Sequence, residues 1–228
     1  MEDFILQKKG YFIKYLKTIS KHVDHGHLFC GQHNIQGAVC PNCNKQLIRF
    51  LMIDLRDKRI NISIKNKVLS LFFCWKCTLS QEKFFYKIVS DSEIKILKYK
   101  IGNPIDDFPY ENYPTFFPES YLDLSELTNI EQETIKKLNS SEIDEYMDVE
   151  KKYQYLCSPQ HQIGGEPYLI QKELELIRCC SCNNTMHLLA AIADDCQDKR
   201  GFVGNKFVQV IFYICKKCMV IGAIQRCG

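Results

Sequence analysis

Apolar and polar positions follow two different periods along the chain. Phe4, Ile5, Phe12, Ile13, Leu16 and Ile19 recur at roughly helical spacing, which predicts an opening helix over 4–19. Residues 47–55 and 60–73 are rich in β-branched and aromatic side chains and predict strands, and 84–100 predicts one or two more. The stretch 101–120 holds four prolines and reads as an irregular linker. Beyond it Thr128 and Glu131 form a capping box for a helix ending near Asn139, and Ser141 caps a second helix running to about Tyr155. After His161 strand-like composition returns, broken by Gly164, Gly165 and Pro167. The expected class is α+β, predominantly β, with N-terminal and central helices.

An internal repeat changes that picture. CPNCNKQLIRFLMIDLRDKR (40–59) aligns with CCSCNNTMHLLAAIADDCQDKR (179–200), and each copy runs through a β-rich segment into a second pair, LFFCWKC ending at Cys77 and FYICKKC ending at Cys218. Cys40 precedes Cys179 by 139 residues, whereas Cys74 and Cys77 precede Cys215 and Cys218 by 141. One two-residue insertion accounts for both offsets. Upstream, CGQHNIQG from Cys30 resembles CSPQHQIGG from Cys157. The expectation is a duplicated β-rich unit, two-lobed: residues 1–100 as a first unit with its N-terminal helix, 101–150 as acidic linker and helices, and 151–228 as a second unit.

Each copy therefore carries C-x2-C, about thirty residues, then C-x2-C. Two such turns bring four thiolates to one tetrahedral ion, the arrangement zinc prefers. Cys40, Cys43, Cys74 and Cys77 are the expected ligands of one Zn2+, and Cys179, Cys182, Cys215 and Cys218 of another, as zinc-ribbon-like knuckles. Four ligands leave no position for a catalytic water. A lone C-x2-C also suits thioredoxin-type redox chemistry, but four in two matched sets favour structural metal. Cys180 adjoins a ligand and competes with Cys179 for the role, although the alignment favours Cys179. Cys196 and Cys227 lack counterparts and read as bystanders. Cys30 with His33, and Cys157 with His161, recur in both copies and read as buried residues beside a turn, with a further metal site as the alternative. His22, His25 and His27 read as a solvated loop.

Thirteen cysteines, an odd number, with no signal-peptide pattern at the N-terminus, argue against a disulfide framework and for a cytoplasmic protein. No apolar run approaches the ~20 residues of a membrane helix. Net charge is +3 but uneven: residues 1–100 carry 18 Lys/Arg against 8 Asp/Glu, and residues 101–150 carry 2 against 13. The basic half attracts nucleic acid, an acidic partner or the acidic middle of its own chain. No nucleophile elbow, P-loop, paired-carboxylate motif or HExxH occurs, so no enzyme is expected.

HQIGGEPYLIQ (161–171), MHLLAAIADD (186–195) and GFVGNKFVQVIFYICKKC (201–218) resemble the YwqG-like family. The cysteine pairs resemble a related group, programmed cell death protein two and its ribosome-biogenesis relative, with Gly164, Gly165, Pro167, Cys179, Cys182, Cys215 and Cys218 matching in order. The first copy departs from the pattern by lacking Gly-Gly-x-Pro. The resemblance implies a zinc-stabilised protein-binding module, a chaperone, adaptor or immunity protein, holding a protein partner such as a basic client. Zinc-ribbon binding of nucleic acid is the alternative, and an enzyme with an unfamiliar site is a third reading.

Overall fold

The apolar run VQVIFYIC at 208–215 shows why strands dominate. Every described side chain in it is buried, with Val210, Phe212 and Ile214 in one apolar cluster and Ile211, Tyr213 and Cys215 in another. A strand covered on both faces has no polar alternation to display. The computed structural model describes residues 5–16, 26–74, 83–100, 116–140, 148–195, 200–201 and 208–227. Among these the strands are β1 (Tyr11–Tyr15), β2 (His27–Phe29), β3 (Ile48–Asp54), β4 (Val68–Phe73), β5 (Phe84–Ser90), β6 (Glu93–Lys98), β7 (Ser120–Glu126), β8 (Gln162–Ile163), β9 (His187–Asp195), β10 (Arg200–Gly201), β11 (Val208–Cys215) and β12 (Val220–Cys227). The one α-helix among the described residues is α1 (Asn129–Ser140), and residues Lys151–Cys157 form a 3-10 helix.

Eleven strands make one curled sheet in the order β4-β3-β2-β7-β1-β8-β9-β11-β12-β5-β6, with β10 paired to β9. Segments 1–100, 101–150 and 151–228 all contribute strands to it. At its middle β1 pairs antiparallel with β7, Ile13 opposite Leu124. β7 then leads to β2, with Leu122 opposite His27, and β1 leads to β8, with Tyr11 opposite Ile163. The helix expected over 4–19 is thus replaced, in the described part, by β1 and a bridge from Ile5 to Leu188. Tyr11 and Ile13 point inward while Lys14 is exposed, a period of two, and pairing on both sides outweighs the helical spacing. β7 also differs, since it lies in the stretch expected as acidic linker and helices. In SYLDLSE the buried residues are Ser120, Leu122 and Leu124, strand alternation set within an acidic segment.

The predicted strand over 60–73 is shorter, because ordered pairing with β3 begins only at Val68, although Ile60 and Ile62 are still buried in the core. Residues 84–100 form the β5–β6 hairpin. The expected capping box is present at α1: the Glu131 N–H donates to Thr128 Oγ1 at 3.2 Å and the Thr128 N–H to Glu131 Oε2 at 2.6 Å. Asn139 anchors the helix, donating to Pro167 O at 2.9 Å and accepting from the Leu169 N–H at 2.9 Å. The second helix expected from Ser141 lies partly outside the described residues, and its described end is the 3-10 turn at 151–157.

The sheet curls until its ends meet. Tyr86 of β5 is fully buried beside edge strand β4, where its hydroxyl accepts from the Phe72 N–H at 2.9 Å and donates to Ser70 O at 3.1 Å. On β6 the Ile94 N–H donates to Gln36 O and the Gln36 N–H to Ser92 O, both at 2.9 Å. Gly37, at φ 76°, permits this approach, since a Cβ there would stand 2.0 Å from Ile94 O. The acidic segment pairs with the basic first hundred residues through Lys9–Glu126, Arg49–Glu119 and Arg59–Asp123.

Removing the Tyr86 hydroxyl leaves a buried backbone donor and acceptor without this partner. Tyr86→Phe is expected to cost about 1–3 kcal/mol of stability in urea unfolding, and an unchanged midpoint would show that water or a shift of β4 satisfies both groups.

Candidate metal centres

The first knuckle follows β2 and enters β3. The Cys40 N–H donates to Lys45 O at 2.8 Å, the Asn44 N–H to Cys40 O at 2.9 Å and the Leu47 N–H to Ala38 O at 2.9 Å. Asn44 takes a left-handed φ of 54°, which asparagine tolerates better than most residues. Before β9 the same bonds recur: Cys179 N–H to Asn184 O at 2.8 Å, Asn183 N–H to Cys179 O at 2.9 Å and Met186 N–H to Ile177 O at 2.8 Å, with Asn183 at φ 59°. Each turn aims two thiols toward the end of the next strand pair.

Cys179, Cys182, Cys215 and Cys218 come together with all four sulfurs within 4.8 Å of one another, and so do Cys40, Cys43 and Cys74. Cys77, the fourth expected member of the first set, lies outside the described residues. Cys43 Sγ and Cys74 Sγ are 3.7 Å apart, as are Cys182 Sγ and Cys215 Sγ. That is far beyond a disulfide bond of about 2.05 Å. It matches the edge of about 3.8 Å in a tetrahedron of sulfurs ~2.3 Å from a central zinc ion.

The electrostatics suit a cation. The hydrogen bond with Cys74 pulls the Cys43 thiol down to about 7 against the effect of burial, and the Lys45 N–H adds to it. The Asn184 N–H is the main cause of the same fall to about 7 at Cys182. Burial instead pushes Cys215 up to about 12. Sulfurs crowded this closely resist joint ionisation unless a metal neutralises them, and a soft d10 ion suits an all-thiolate set. Both clusters are therefore fit to hold metal ions.

The remaining candidates separate cleanly. Cys180 is exposed and outside the cluster, so Cys179 holds the position between the two. Cys30 and Cys157 are buried and belong to neither cluster, and burial pushes the Cys30 thiol well up. His33 donates through Nε2 to Leu47 O at 2.8 Å and accepts at Nδ1 from the Ile35 N–H at 3.3 Å, leaving no nitrogen for a metal. Cys196, His22 and His25 lie outside the described residues, as does the side chain of Cys227.

The geometry pairs His161 with His27 rather than His33. His27 Nδ1 accepts the Asp54 N–H at 3.1 Å, and His161 Nδ1 accepts the Ala193 N–H at 3.1 Å. Three residues on, Cys30 and Gly164 have φ of 58° and 64° and donate to Phe50 O and Leu189 O at 3.0 and 2.9 Å. Phe50 and Leu189 are each the extra residue where the β3–β4 or β9–β11 register shifts. Cys30-Gly31 thus stands where the second half has Gly164-Gly165. The sequence signal for it is the match of HLFCG (27–31) to HQIGG (161–165) rather than of cysteine to cysteine.

His27 is not a solvated histidine. With Nδ1 accepting, Nε2–H donates to Asp57 Oδ2 at 2.8 Å inside the protein. Asp57 also accepts from Arg59 Nη2 at 2.8 Å, and Arg59 reaches Asp123 Oδ1 at 2.8 Å. Burial alone would raise the Asp57 carboxyl, but Arg59 and His27 hold it well below the usual carboxylate range. Arg56 does the same to Asp54. The Asp-Lys-Arg triplet at 57–59 is a structural latch.

Metal analysis of the purified protein should give about two zinc per chain, and Cys43→Ser or Cys182→Ser should each remove about one ion and several kcal/mol of stability. Cys180→Ser should change neither; equal losses at all three would mean that ligands and bystander are wrongly divided. Asp57→Asn should cost about 2–3 kcal/mol at pH 7 because it removes the carboxylate charge that Arg59 and His27 share, while Arg59 keeps Asp123 and Leu124 O. A depressed carboxylate stabilises above its unfolded pKa, so this difference should persist above about pH 4 and shrink as pH falls further. Urea titrations across pH 2–7 test the sign, and a gap that widens toward low pH would contradict it.

No family model matches the chain, and comparison with characterised proteins and with solved structures finds no match.

Proposed function

We propose that the protein is a zinc-stabilised, internally duplicated scaffold that binds another protein through the open edge of its sheet, in the manner of a chaperone or adaptor. The observation that carries the binding reading is β6. It ends the strand order, and among the described residues its outer side is bridged only at Glu93, by Gln36. An extended segment of a partner can continue a sheet from such an edge through main-chain hydrogen bonds.

Duplication is supported by the paired knuckles and bulges, offset by 139 residues, and by the paired histidine contacts, whose histidines are offset by 134. Zinc is supported by the sulfur spacing and the all-thiolate donor set. Kinship with the YwqG-like proteins belongs to the same reading, supported by the left-handed φ at Gly164 and Gly165, where a Cβ on Gly165 would stand 2.8 Å from Gly10 Cα. A closed four-thiolate centre supplies folding energy without an open coordination position, which favours a scaffold over a catalyst.

Protein is favoured over nucleic acid because all three arginines of the first hundred residues are already engaged. Arg56 is paired with Asp54, Arg49 with Glu119, and Arg59 with Asp57 and Asp123. Binding to mixed RNA or DNA should accordingly be weak at about 150 mM salt. A protein partner, captured on the immobilised zinc-loaded chain and retested pure, should survive moderate salt and be lost after chelation. Submicromolar RNA binding that falls by orders of magnitude between about 50 and 200 mM salt would overturn the choice.

A further inference from the structure

Beside the second knuckle the surface opens into a groove of about 980 Å3, bounded by the Cys179–Asn183 turn, by Lys83, Phe85 and Lys98 of the β5–β6 hairpin region, and by Ile224–Arg226 of β12. Its charge is one-sided. Lys83, Lys98, Arg178 and Arg226 line it against the single carboxylate Glu175. Glu175 is already engaged, by Lys83 and by Arg226 Nη2 at 2.7 Å. Among the described residues neither Lys98 nor Arg178 forms an ion pair, and Arg178 makes one hydrogen bond, Nη1 to Asn183 O at 3.2 Å. A loaded four-thiolate zinc centre would carry two negative charges. Set against four basic side chains and one carboxylate in the lining, that charge leaves the groove a positive surplus.

The groove also has an apolar anchor. Leu176 is 57% exposed at its wall, unusual for a leucine beside a buried cluster, while Phe85 and Ile224 form an apolar base. Lys98 stands on β6, so the groove adjoins the unpaired part of that edge, and Lys100 O just beyond accepts from Asn42 Nδ2 of the first knuckle at 2.8 Å. Lysines on an edge strand also deter unwanted pairing. That accounts for Lys95, but not for Arg178, which reaches the groove from another part of the chain.

Resting on the binding reading above, we propose that this groove takes an extended acidic peptide segment of the partner, with carboxylates at Lys98 and Arg178 and an apolar side chain on Leu176. Charge complementarity excludes a basic client from this surface. A single-stranded nucleic acid is disfavoured because the one aromatic ring in the lining, Phe85, is buried and offers no face for base stacking.

The test uses the full zinc-loaded chain and three fluorescent probes of about twelve units: a Glu/Ser peptide with a central Leu, the same peptide with Lys for Glu, and mixed-sequence single-stranded RNA. Anisotropy at about 150 mM salt should show binding of the acidic peptide alone. Lys98→Glu, remote in sequence from any zinc ligand, should weaken it about tenfold at unchanged zinc content, and Leu176→Ser should weaken it several-fold. Lys151→Glu, elsewhere on the surface, should change nothing. Bound acidic peptide should also slow alkylation of Cys180, the exposed thiol in the groove. Equal affinity for the Lys peptide, or acidic-peptide binding indifferent to Lys98→Glu, overturns the groove assignment but leaves edge binding of a protein standing. RNA binding lost with Lys98→Glu overturns both.

Discussion

The antiparallel contact between β1 and β7 is the constraint on which the rest of the architecture depends. Tyr11–Tyr15 lie opposite Leu122–Glu126, and each strand then serves a different half of the sheet, β7 joining β2 and β1 joining β8. Without this pair the two halves of the strand order would meet mainly at their far ends, where Tyr86 of β5 bonds to β4 and Gln36 bonds to β6. It also explains where the segregated charge goes: β7 brings Asp123 and Glu126 against Arg59 and Lys9, so an acidic stretch becomes the inner partner of a basic one.

Around that centre the molecule repeats one local solution. A histidine nitrogen accepts a backbone N–H from the neighbouring strand, a left-handed residue donates to a bulge carbonyl, and a tight asparagine-containing turn presents two thiols. These are short-range hydrogen-bond devices, and each fixes a backbone direction that packing alone would leave loose. The thiols then stand at a spacing that crowded sulfurs accept when a metal neutralises them. The halves differ after the second thiol pair. In one, β12 returns directly beside β11, whereas in the other β5 crosses to β12 and leaves Tyr86 to satisfy β4.

The clusters Cys40–Cys43–Cys74 and Cys179–Cys182–Cys215–Cys218, the capping box of α1 and the β5–β6 hairpin are legible because each rests on local spacing. The knuckles need only a few residues to form, so their sequence announces them. β1 and β7 were not legible for the opposite reason. Their short alternating patterns are ambiguous alone, and what makes them strands is pairing on both sides with residues far along the chain. The correspondence of His27 with His161 is hidden in the sequence because Cys30 stands where the second half has Gly164, and Cys30 matches Cys157 as a residue type instead. The groove beside the second knuckle was illegible altogether: Lys83, Lys98, Arg178 and Arg226 share no motif and meet only once the hairpin lies against β12.

The placement of β1 has a consequence for how the chain is made. Tyr11–Tyr15 are synthesised well before their partners, since β7 and β8 are encoded roughly 110 and 150 residues later. At the usual 5–20 residues per second the first strand waits on the order of ten seconds for a neighbour. During that interval β1 has two bare edges, and the turn that brings Cys40 and Cys43 to Cys74 is able to form before β1 has anything to pair with. Synthesis therefore passes through a stage in which local order is established while the centre of the sheet is still vacant, and any helper that shields nascent chains would find its task concentrated on Tyr11–Tyr15.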